Sequence, residues 1–341
     1  MPATRRHWHA SGQCGAGRVS DAGVSLSSVA RFGASGVARK AGSYNGGPFR
    51  RGRSHMHFIL LSLACSVLVS VLLKLAPRRG WDVAQMVTWN YLAAAMLCAW
   101  LLQPPPAALR QADAPWAELL LLAGLLPTLF LVLAASVRHA GIVRTDVAQR
   151  LSLLLSLAAA FVLFGEQAGP MKLAGLALGL CAVAGILARP DAHAAPDRRG
   201  WGLLLAVWAG FAVVDVLLKR LAMAGTPAAA ALLVAFMLAF AGMLGWQGWR
   251  RIRHGVRPGL RHIGAGLLLG LLNFGNIAFY VRAHQALPDS PAVVFATMNI
   301  GVVLLGTAVG MLAFGERTST LNRIAIVLAV VAIGLIALAP R

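Results

Sequence analysis

Asp146 and Arg150 stand four residues apart inside a long apolar run, and Asp215 and Lys219 repeat that spacing in another. An ionisable side chain near the centre of a membrane span costs about 2.5–3.5 kcal/mol or more, so each needs a partner or a task. A spacing of four puts both members of a pair on one helical face, where they can meet. Two chemistries fit: the pair pins its helix in place, or it handles a substrate or protons. Gln149 sits beside the first pair. Lys219 is close to the end of its run, and its long stem can carry the ammonium to the interface. Asp215, one turn deeper, has no such freedom. Four amides also lie in apolar runs: Asn90, Asn273, Asn276 and Asn299. Each can hydrogen-bond to a neighbouring helix or line a cavity. Asn273, Asn276 and Tyr280 fall at i, i+3 and i+7, a stripe that suits a cavity wall better than lipid. Ser66 and Ser70 likewise share one face.

Other ionisable groups read as structural. Lys74 closes an apolar run and is placed to snorkel to the interface. Arg282 and His284 lie near a helix end and read as interfacial. Glu166 and Glu316 each precede the N-terminus of a following helix, where the dipole favours a carboxylate, and read as caps or turn anchors. There is no HExxH, GxSxG, Walker A or Rossmann fingerprint. The nine histidines and four cysteines show no ligand spacing, so no metal and no cofactor is expected.

These residues sit in an unusual background. The chain has 341 residues, 58% hydrophobic and 12% charged, with a mean hydropathy of +0.72. Soluble domains carry about 25% charged residues, so the departure is towards the membrane. The net charge of +20 does not argue for nucleic acid, because the cations cluster in short connections and in the N-terminal tail, as membrane proteins place them. Residues 1–55 are rich in Gly, Ser and Arg and read as a disordered basic tail, with Met56 a natural start. From there, ten apolar runs long enough to span a bilayer predict helices at 57–76, 82–102, 117–137, 143–164, 169–188, 201–221, 227–248, 262–284, 291–313 and 320–339. The fold class is therefore all-α integral membrane.

The runs repeat. VLLK ends at Lys74 and again at Lys219; Phe164-Gly165-Glu166 returns as Phe314-Gly315-Glu316. Two phrases in the same order at nearly the same offset divide the chain into five-helix halves, 56–190 and 191–341. Because five is odd, the second half enters the membrane from the opposite side. That makes an inverted repeat, an architecture of secondary transporters with the site between the halves.

The twice-used FGE turn before a Gly- or Ala-lined last helix resembles the drug/metabolite transporter superfamily, in its ten-helix form with two EamA-type halves. The stretch from Leu269 to Ile336, with its Gly/Asn-rich eighth helix and FGER turn, carries the resemblance best. It implies a secondary transporter of small metabolites or drugs, an exporter or exchanger with alternating access, in a bacterial inner membrane. The implied partners are a small-molecule substrate, the lipid bilayer, and protons or a counter-substrate, with a homodimer open. Arg150 and Lys219 hint at an organic anion or an amphoteric metabolite. A membrane scaffold or lipid-carrier flippase component is the alternative; a lipid-modifying enzyme would need a nucleophile or carboxylate–His cluster that the sequence lacks. Loop charge and resemblance disagree on orientation. Fourteen cations on one side against six on the other put the N-terminus outside, whereas the resemblance puts both ends in the cytoplasm.

Overall fold

The computed structural model describes residues 48–104, 115–164, 169–187, 198–287, 291–316 and 318–338. The first forty-seven residues, Glu166, Gln167, Arg317 and the linker at 188–197 lie outside them. Among the described residues there are ten α-helices and no strand: α1 (Pro48–Leu75), α2 (Val83–Leu102), α3 (Trp116–Ala140), α4 (Ile142–Phe164), α5 (Pro170–Leu187), α6 (Arg198–Met223), α7 (Ala228–His254), α8 (Leu260–Ala286), α9 (Pro291–Phe314) and α10 (Thr320–Leu338). Most ends fall within a few residues of those expected. Two helices run on further: α1 begins at Pro48, inside the stretch 1–55 expected to be a disordered tail, and α7 continues through Arg250, Arg251, Arg253 and His254 instead of yielding to a basic loop. Cations in a last turn complement the helix dipole. The helix stops only where Gly255 takes a left-handed φ of 63°.

Eight of these helices are long and apolar enough to cross a membrane by composition alone. The shortfall is informative. α4 spans 23 residues but carries Arg144, Asp146 and Arg150 in its first half. It packs against α1, α3, α5, α6 and α9, so those charges face protein. Elsewhere the surface is greasy: Leu60, Leu68, Leu244, Leu271, Leu304 and Leu312 are all exposed. Water would not tolerate so wide an apolar surface, whereas lipid favours it. The chain is an integral membrane protein.

The principal pairings are α5 with α10, α2 with α8, α1 with α8, α3 with α6, α4 with α6, and α2 with α7. Small residues permit the closest of them. A Cβ added to Gly266 or Gly270 on α8 would lie 2.6 Å from the carbonyl oxygens of Met86 or Asn90 on α2, so only glycine lets these backbones approach.

Polar contacts assign the helix ends to two faces. The end of α1, the end of α3, the start of α4 and the turn after α9 meet at one face through Lys74, Val137, Ile142 and Glu316. The start of α2, the end of α7 and the start of α8 meet through Asp82, Arg250 and His262. As α1 leads directly into α2, both groups mark one face, called the far face below. The near face carries the opposite ends, where Glu118 at the start of α3 lies 3.9 Å from Arg220 near the end of α6.

Candidate functional site

Between the two faces lies a cavity of about 410 Å³. Its deep wall is polar: Gln149 and Arg150 from α4, Asn276 and Tyr280 from α8, and Asn299 from α9. Asp215 on α6 projects into it and is accessible to solvent there. Nearer the mouth come Lys172 and Lys219, with Leu102 and Ala229 at near-face helix ends. Phe211, Phe274 and Phe295 supply apolar wall. No lining residue comes from the far-face cluster of Lys74 and Glu316. The cavity therefore opens towards the near face, and its floor lies about half-way through the bundle.

The charges meet partners that spacing did not suggest. Asp146 and Arg150 do not bond to each other; both turn to α1. Ser70 donates to Asp146 Oδ1 at 2.7 Å, and Arg150 donates to Ser66 Oγ at 2.7 Å. The two spacings of four interlock because α1 and α4 run antiparallel, so one turn up the first is one turn back along the second. Arg150 also reaches towards Asn299 Oδ1 at 3.5 Å. It thus stands on the cavity floor, while Asp146, 2% exposed, lies one turn deeper and outside the lining. There Gly306 of α9 packs directly against its carboxylate. Asp215 pairs with α4 as well: Ser156 donates to its Oδ2 at 2.8 Å.

Of the amides, Asn276 accepts from Ser62 at 2.8 Å and still borders the cavity. Asn299 also faces it and ties its own amide to the Phe295 carbonyl. Asn273 instead donates to Asn90 at 3.3 Å, an α8–α2 bridge outside the cavity lining. The expected stripe of Asn273, Asn276 and Tyr280 is thus split, with its first member turned to α2. Lys219 is 8% exposed and borders the cavity, so it does not snorkel as its position suggested. His284, read as interfacial, is buried, with Nδ1 3.1 Å from the Tyr280 carbonyl; Arg282 is exposed as expected.

The far face is closed by a compact polar knot. Glu316 accepts from the backbone N–H groups of Ile142 and Val143 at 2.8 and 3.1 Å, capping the N-terminus of α4. Lys74 Nζ lies 3.1 Å from Glu316 Oε1 and donates to the Val137 carbonyl at 2.9 Å. Neither side chain is more than 16% exposed. The expectation of a carboxylate at a helix N-terminus holds, but the helix is α4, not the one that follows Glu316. Lys74 is likewise no interface anchor: it ties α1 to α3 and the turn after α9. Beside this knot, Asp82 caps α2 and accepts from Arg250 at 2.9 Å. Partial burial opposes its charge, but the Arg250 guanidinium and the Gln85 and Ala84 N–H groups outweigh that and hold its carboxyl below the usual carboxylate range.

Residues 54–188 match the EamA-like transporter family. A Haemophilus influenzae protein, itself described as uncharacterized, is 37% identical over 284 residues, covering 82% of this chain and 96% of that one. The chain belongs to the EamA-like transporter family. A crystal structure of a protein 20% identical to it superposes with a TM-score of 0.51, over 85% of this chain and 96% of that one, a likeness that speaks to the fold. The family match spans α1–α5, and the relative extends the kinship to most of the chain. Family membership makes the chain a membrane transporter of small molecules, and no metal-holding group of acidic, His and Cys side chains occurs among the described residues.

In this EamA-like protein, Ser66, Ser70, Ser156 and Ser62 supply direct partners of Arg150, Asp146, Asp215 and Asn276 respectively. Two of them were visible as a matched pair on α1. What sequence could not supply was that their register meets that of α4.

Proposed function

We propose that the chain is a secondary transporter that alternates access between two inverted five-helix halves, and that it moves small amphoteric or anionic metabolites as an exporter or exchanger in a bacterial inner membrane. The observation that carries this reading is a polar-floored cavity open to one face, with a polar knot closing the other. The packing supports the inverted relation. Exchanging α1–α5 with α6–α10 maps α1–α8 onto α6–α3, α2–α8 onto α7–α3, and α4–α6 onto α9–α1, and leaves α5–α10 and α2–α7 in place. Related halves that pack alike can trade conformations, which turns the cavity to the other face.

On this reading Arg150 receives an anionic group at the floor, helped by Asn299 and Tyr280, while Asp215 offers a carboxylate to an amine and Phe211 covers the apolar body. Arginine suits the task because its planar fork matches a carboxylate. The mouth lysines Lys172 and Lys219 draw anions inward. The test is counterflow in proteoliposomes loaded with unlabelled amino acids or dicarboxylates, with the labelled compound outside. Saturable exchange that needs the same compound on both sides is the expected result. No exchange across a broad panel, with the protein folded, would favour the scaffold or flippase-component alternative.

A further inference from the structure

Asp146 presents a problem that the cavity does not solve. Its Oδ1 accepts from Ser70, but Oδ2 is fully buried with no hydrogen-bond partner. Gly306 leaves room for the carboxylate and nothing polar to bind it. The charges whose fields reach it are Arg150, of opposite sign, and Glu316, of the same sign. Arg150 is committed elsewhere, to Ser66 and Asn299, and its own Nε is also buried without a partner. The remaining neighbours do not relieve it. On α1, Lys74 is engaged by Glu316 and Val137. On α3, Ser136 is bonded to Thr145. Asp215 on α6 is bonded to Ser156 and faces the cavity, while Lys172 on α5 borders the cavity and α10 brings the Asn322 amide. Arg144 is the other charge on α4 itself. A bare carboxylate oxygen in such a place lacks both water and a counter-charge, and is far costlier there than a neutral carboxyl.

We propose that Asp146 is a proton-binding site coupled to Arg150. A proton from the cavity water bonds to a lone pair of Oδ2 when Arg150 is held forward by Ser66, Asn299 or an anion in the cavity. It returns to water when Arg150 swings back to neutralise the carboxylate one helical turn away. The cargo of this site is a proton, and the anion in the cavity sets when it is taken up. Coupling of this kind rests on the transporter reading above; the protonated carboxyl itself does not.

Infrared spectroscopy of the purified full-length protein tests it without a substrate. At neutral pH the wild type should show the C=O stretch of a protonated carboxylic acid, lost in Asp146→Asn. Ser70→Ala should move that band to higher frequency, because Ser70 donates to the carbonyl oxygen Oδ1. A band unchanged in Asp146→Asn overturns the proposal. If that variant does not fold, a band unmoved in Ser70→Ala overturns it equally. Counterflow separates the two readings: the band with no counterflow of amino acids or dicarboxylates sinks the transporter and keeps the proton site, whereas counterflow without the band sinks the proton site alone.

Discussion

Arg150 is the side chain on which most of the polar geometry converges. It touches α1 through Ser66, approaches α9 through Asn299, and faces Asp215 across the cavity. Replacing it by lysine keeps the charge but loses the fork that reaches two helices at once. Arg150→Lys should therefore reduce counterflow at least about tenfold, a loss of roughly 1.4 kcal/mol. An Arg150→Lys protein with wild-type flux would remove this residue from the substrate path. Asp82 gives the pH prediction. Its carboxyl lies below the usual range in the folded chain, so its contribution to stability is present above the unfolded value of about 4 and fades as pH falls through the folded value. Melting curves of wild type and Asp82→Asn should thus differ at neutral pH and converge in acid.

Among the elements, α4 is exceptional. It carries Arg144, Asp146 and Arg150 in its first half, and it is wrapped by α1, α3, α5, α6, α9 and α10. Its start is held by Glu316 and, through that carboxylate, by Lys74. Loosening this knot should let the far face open. A cysteine placed at Val143 should become reactive to an impermeant thiol reagent in Lys74→Ala and Glu316→Gln, and stay protected in the wild-type background. A double-mutant cycle on the two should show a coupling of about 0.5–3 kcal/mol, as for residues in one network. The α2–α8 contact makes the opposite kind of prediction. Gly270→Leu drives a side chain into the Asn90 carbonyl, and should cost about 1–3 kcal/mol of stability, read as a lowered melting temperature in detergent. Both elements were legible from their apolar runs, and their ends were mostly placed within a few residues. The end of α7 was not, because a basic stretch reads as loop when hydropathy is the guide, whereas its backbone continues helical until a glycine stops it.

For the whole molecule, ten helices in alternating direction put the start of α1 and the end of α10 on the near face, the face to which the cavity opens. A reporter fused after Arg341 decides whether that is the cytoplasm, as family resemblance has it, or the outside, as the far-face cations imply. A cytoplasmic reporter makes the described state the loading state of an exporter. Much of this architecture follows from the sequence alone. Long apolar runs must hydrogen-bond their own backbones in lipid and so become helices. Local rules also singled out charges that the fold places among polar partners, since an ionisable group in an apolar run is costly wherever it sits. Partnership belonged to the tertiary structure. Asp146 bonds to Ser70, not to Arg150; Lys74 meets Glu316, 242 positions away in the chain; and Asn273 leaves the cavity for Asn90. Such choices depend on which antiparallel helix comes alongside and in what register, and a spacing of four on one helix fixes only what its own face presents.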